Sequence, residues 1–152
     1  MTIGLPAILD AVVSHAAASG HFDRIGRHEP KSAPGTGLSA AIWVDRVSPL
    51  PGASGLAQTS ALVVLNIRVY TNMLADPPDD IDPSLMSAVD GLMTAYSGDF
   101  DLGGTVRNVD LLGAYSAGLS AQAGYLEQDG RLYRVMTVTL PLVVSDVWSQ
   151  NA

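Results

Sequence analysis

No cysteine occurs in the chain, which excludes disulfides, thiolate metal sites and cysteine nucleophiles. Basic residues are also scarce. Lysine and arginine number 8 against 15 acidic residues, a formal net charge of -7, and the acids are nearly all Asp while the bases are nearly all Arg. Neutralising a phosphate backbone needs a surplus of Lys and Arg on one surface, so a free nucleic-acid binder is disfavoured. Long apolar runs are missing too. Stretches such as Ala61 to Leu65 fall far short of the roughly 20 residues of a membrane-spanning helix, so no membrane partner is expected. The opening "MTIGLPAILDAVVSHAAA" has no positive start and is interrupted by Asp10, so it reads as a first helix rather than a leader. A soluble chain, cytosolic at synthesis, is the expectation.

What is present is enough apolar matter for one core. With 152 residues and 47% hydrophobic content, a single domain over 1–152 is expected. Leu5, Ile8, Leu9, Val12 and Ala16 recur at helical spacing before Gly20, which predicts a first amphipathic helix. A second is signed by Asp82-Pro83 as N-cap and first-turn proline, the stripe Ile81, Leu85, Val89, Leu92, Met93 and Tyr96, and Gly98 as the stop. Between them, residues 21–28, 38–48 and 59–72 have strand character. In the third, Ala61, Val63, Leu65, Ile67 and Val69 alternate against Asn66, Arg68 and Tyr70.

The loops "EPKSAPGTG" and "SPLPGASGLAQ" read as hairpin connections pointing to opposite ends of one sheet. "DFDLGGTVRNVDLLG" predicts a short strand, a turn and another strand. Asp129-Gly130 is the strongest hairpin signal, and as the two central turn residues they place Leu126 opposite Tyr133 and Tyr125 opposite Arg134. Pro141, inside a last arm of about residues 131–145, argues for an edge strand or a bulge. The pattern predicts an α+β fold, a mainly antiparallel β-sheet with two helices packed on one face.

No chemical motif completes itself. In "HEPKSAPGTGLSAAIWV", Lys31 precedes Gly35 and Gly37 and a strand follows where a phosphate-binding loop requires a helix. His28-Glu29 lacks a second histidine at helical spacing, and Pro30 breaks the helix; His15 and His21 straddle a helix end. All three read as surface or boundary residues. The run Asp76, Asp79, Asp80 and Asp82 lacks the glycine and glutamate of a calcium loop and suits the positive end of the second helix. "GAYSAG" around Ser116 has Ala114 where a hydrolase elbow needs glycine. Asp99 and Asp101 would be neighbours by strand alternation, with nothing gathered around them. Neither catalytic residues, nor a metal, nor a cofactor is expected. Trp43 and Trp148 remain, near predicted edges where core packing and interface use are both open; an apolar edge arm invites pairing with another subunit.

The order of elements, with "SGHFDRIGRHEPKSAPGTGLSAAIWV", "VVLNIRVYTNML", "AVDGLMTAYSGDFDLGGTVRNVDLLG" and "AGYLEQDGRLYRVMTVTLPLVVSDVW", resembles the tail terminator (tail completion) proteins of long-tailed siphophages, especially those of actinobacteria. The resemblance covers nearly the whole chain and is one of overall pattern, since no catalytic motif defines that family. It implies an α+β fold and a non-enzymatic structural virion protein. Its subunits would close into a ring, commonly a hexamer, that caps the tail tube and offers its other side to the head connector. It further implies tail tube protein and connector or stopper as partners, and DNA only as it passes through the lumen. The protein would sit at the head-proximal end of the tail, after assembly in the host cytoplasm. On that basis Lys31, Trp43, Arg68, Arg134 and Trp148 are the interface candidates. The alternatives are a head-side stopper subunit and a small hydrolase using Ser116.

Overall fold

A computed structural model describes residues 3–29, 37–55, 57–72 and 78–150. The elements in chain order are α1 (Leu5–Ala18), β1 (Arg24–Gly26), β2 (Ser39–Pro49), β3 (Gln58–Asn72), α2 (Ile81–Gly98), β4 (Asn108–Val109), β5 (Ser120–Gln128) and β6 (Arg131–Ser149). The strands form one sheet in the order β1-β2-β3-β6-β4, with β5 also on β6. All pairings are antiparallel except β1 with β2. This is the expected α+β class.

The alternation in β3 sets the layers. Val63, Leu65, Ile67 and Val69 join Ile42 of β2 and Val138, Leu140 and Leu142 of β6 under both helices, in one core with Ile8 and Val12 of α1 and Leu85, Leu92 and Tyr96 of α2. Each such side chain, fully withdrawn from water, contributes roughly 1.5–3 kcal/mol. Tyr96 is fully buried, and its hydroxyl donates to the Val12 carbonyl at 2.9 Å, fastening the two helices together.

Four local expectations are corrected. The helix α2 starts at Ile81, with Asp80 at the N-cap position but making no side-chain cap bond, because a 3-10 turn at Pro78–Asp80 feeds it. Asp82 and Pro83 therefore sit inside the first turn, where amides have no intrahelical partner and a proline is tolerated. The connection 27–38 is not a hairpin. β1 and β2 run parallel, Arg24 beside Ser39 and Gly26 beside Ala41, so the chain crosses back between them. The 50–57 connection does join antiparallel strands, through a 3-10 turn at Pro51–Ala53, at the opposite end of the sheet from the start of β2.

Residues 99–113 form turns and a single two-residue strand, β4. Asp99 caps α2, with Oδ1 accepting from the Gly103 amide at 3.1 Å, so Asp99 and Asp101 are not strand neighbours. Finally, β6 is an interior strand, flanked by β3 along its length and by β5 and then β4 on its other side. Pro141 falls in the gap between Thr139, the last partner of β5, and Leu142, a partner of β4. Its carbonyl accepts from the Asp110 amide at 2.9 Å, so its missing N–H points to the same side, where no ladder bond is required. The bulge in this strand lies further on, opposite Thr59 and Ala61. There Asp146 adopts φ 54° and donates its amide to Ser60 Oγ at 3.1 Å.

Candidate functional site

Two interface candidates meet on the sheet face opposite the helices. Trp43 and Arg68 share that face because Ala41 pairs with Arg68 and Trp43 with Asn66. The Arg68 guanidinium lies 5.1 Å from the Trp43 ring centroid, and its Nε donates to Thr137 Oγ1 at 3.3 Å. Behind it, Ala41, Tyr70, Tyr133 and Val135 form a small second core against which Trp43 and Leu126 pack. Burial pushes the Tyr70 phenol well above its ordinary pKa; the charge of Arg68 opposes that shift and Glu29 adds to it. The hydroxyls of Tyr70 and Tyr133 are buried without a hydrogen-bond partner among the described residues.

Arg134 and Trp148 lie apart from this patch. Arg134 is on the helix side, where Nε donates to Asp82 Oδ1 at 3.0 Å, Nη1 donates to the Gly124 carbonyl at 3.1 Å, and the guanidinium lies 4.5 Å from the Tyr125 ring centroid. Its partner Asp82 holds its pKa above the ordinary value. Arg134 thus ties the β5–β6 hairpin to the start of α2. Trp148 is half-buried at the far end of β6, opposite Thr59. Lys31, Gly35 and Asp76 lie outside the described residues. Gly37, the described end of that stretch, has φ 82°, and a side chain there would collide with Asp23, whose Oδ2 accepts from the Leu38 amide at 3.3 Å.

Ser116 belongs to a loop brace. Asp110, only 3% exposed, accepts from the Ala114 amide at 2.7 Å, the Tyr115 amide at 2.9 Å and Ser116 Oγ at 2.9 Å. Ser116 Oγ in turn accepts from the Gly118 amide at 3.1 Å. Burial alone would raise the Asp110 pKa, but the bonds from Tyr115, Ser116 and Ala114 outweigh it and the net shift is downward. Gly113 and Gly118, both at φ above 80°, cross so closely that a side chain on either would strike the backbone of the other limb. His15, which reads from sequence as a boundary residue, links the helices. Nδ1 faces the Ala11 carbonyl at 2.7 Å and Nε2 the Asp99 carboxylate at 2.8 Å. Both contacts are hydrogen bonds only when the ring carries both protons. No group of three or more His, Asp and Glu side chains spaced for a metal occurs among the described residues.

No protein-family model matches this chain, and no curated protein matches it. Among solved structures it is similar to a chain described as "Virion of native gene transfer agent (GTA) particle", at 14% identity and a TM-score of 0.38. The match covers 89% of this chain and 92% of that one. At that identity and score the likeness is one of broad shape and carries no functional conclusion.

The two sides of the sheet differ. The outer side of β5 pairs with nothing among the described residues, and the strand holds no proline, no bulge and a single charge, Glu127. A two-residue turn at Asp129-Gly130 sets its register on β6, Leu126 beside Tyr133 and Tyr125 beside Arg134. The alternation then turns the backbone groups of Ala121, Ala123, Tyr125 and Glu127 outward. At the other side, β1 covers only Ser39 to Ala41, and β2 beyond it is broken by a bulge between Val44 and Arg46 and closed by Pro49. Exposed Val44, Val47 and Tyr125 mark the two edges. The edge residues were missed from sequence because β6, not β5, has the stronger apolar pattern.

Proposed function

We propose that this chain is a structural virion protein that ends tail growth. Copies close into a ring, probed first as a hexamer, that caps the tail tube and presents its other side to the head connector. The reading is supported by the sequence resemblance over nearly the whole chain. The structural observation that carries it is the pair of unlike open edges, the bare β5 on one side and the bulged β2 on the other. A ring requires a heterologous interface, in which one surface meets a different surface of the next copy. An unprotected edge such as β5 is a template for association that folded proteins otherwise blunt. The acidic balance of the chain suits a lumen through which DNA passes without sticking.

Electron microscopy of tails assembled with and without this protein tests the reading. Controlled length and a terminal ring only when it is present are expected; tails of unchanged length and normal head joining without it would overturn the proposal. A ring found on head connectors and absent from tubes would assign it to the stopper position instead.

A further inference from the structure

We infer that Arg68, set between Trp43 and Thr137, is a socket for a carboxylate side chain presented by a second copy of this chain. The inference rests on the self-assembly part of the reading above. Arg68 is half-buried; its guanidinium lies over the Trp43 ring and its Nε donates to Thr137 Oγ1. Among the described residues Arg27 and Arg134 each hold a carboxylate, from Asp10 and Asp82; Arg24, Arg46, Arg107 and Arg131 hold none but are exposed, whereas Arg68 holds none and is half-buried. Glu29, whose charge reaches Tyr70, forms no ion pair with it. A guanidinium offers five N–H donors in a planar fork matched to a carboxylate, and among the described residues a single one is used.

The space beside it has the right size and lining. A recess of about 240 Å³ is bounded by Arg68, Gln122, Gly124, Leu126, Val135 and Thr137. That is below the roughly 300–1,000 Å³ of small-molecule pockets and suits one inserted side chain. The Thr137 hydroxyl adds a donor beside the cation, while Leu126 and Val135 form an apolar wall that strengthens a charge pair by excluding water. Trp43 fixes the guanidinium plane before any partner arrives, which lowers the ordering cost of binding. Charge complementarity selects the occupant. The chain carries 15 acids to 8 bases, so another copy presents a surplus of carboxylates to an unpaired arginine.

The test places the photo-crosslinking residue p-benzoylphenylalanine at the exposed Gln122 position on the recess rim, in the full-length chain. It is irradiated free over a concentration series and bound to tails. The expected result is crosslinked oligomers of this chain, mapped to a peptide containing Asp or Glu. Arg68→Gln should reduce them at least roughly tenfold, as truncating one member of an interfacial charge pair does, with an unchanged circular dichroism spectrum and melting curve. Four outcomes overturn the proposal: no intermolecular product in either setting, products only with a different protein, attachment to a peptide without an acid, or yield unaffected by Arg68→Gln. Crosslinked oligomers from a protein that fails to bind tails would leave the socket standing and remove the tail assignment. Tail binding without crosslinks would do the reverse.

Discussion

Replacing Asp110 by alanine removes the acceptor for three donors at once. The carboxylate is 3% exposed and receives the Ala114 and Tyr115 amides and the Ser116 hydroxyl at 2.7, 2.9 and 2.9 Å. A hydrogen bond to a charged acceptor is worth about 1.5–3 kcal/mol, and donors in one loop do not add independently. Once the loop loosens, its amides regain water, which brings the expected loss for Asp110→Ala to about 3 kcal/mol. In a domain of this length that lowers the melting temperature by roughly 6–12 °C. Asp110→Asn keeps one acceptor oxygen and turns an amide NH2 toward N–H donors, so it should lose about half as much. Because the folded pKa is depressed, the contribution is fully present above the unfolded value near 4 and is lost as pH falls through the folded one. Urea titrations of the wild type and both variants, at neutral pH and down to pH 3, measure this. A loss under about 0.5 kcal/mol for Asp110→Ala, or a difference that does not shrink in acid, would refute the reasoning.

Leu65→Ala, at a fully buried position under both helices, should cost about 3 kcal/mol in urea denaturation. Gly130→Ala forces a side chain onto φ 74° in the β5–β6 turn and should cost about 1 kcal/mol by the same measurement. Pro141→Ala should cost no more than about 2 kcal/mol, since the restored N–H meets the gap between β5 and β4, leaving lost unfolded-state restriction and the buried ring carbons as the difference. A loss above about 2 kcal/mol by calorimetry would show that the proline side chain is itself required.

The parts of the fold that were legible from sequence are those set by local geometry. The period of two in β3 named its buried face, and a two-residue Asp129-Gly130 turn leaves one register for Leu126 and Tyr125. What was not legible depends on distant partners. A three-residue β1 carries no periodicity, so its parallel pairing with β2 follows only from the crossover. Pro141 misled because the edge rule concerns the direction of the missing N–H, which is set by where β5 ends and β4 begins. The Asp110 brace left a faint trace, an Asp followed by a loop with glycines at Gly113 and Gly118, but small-residue loops are common. Trp43 and Arg68 were both named as interface candidates from sequence; their stacking required the register of β2 on β3.

The most direct test of the central claim is an averaged cryo-electron-microscopy reconstruction of the head–tail junction of the intact particle that carries this chain. The account predicts a closed ring of copies seated on the last ring of the tail tube, joined head to tail through unlike surfaces, with the connector on its other side. Density for this chain elsewhere in the particle, or its absence from the particle, would contradict the account.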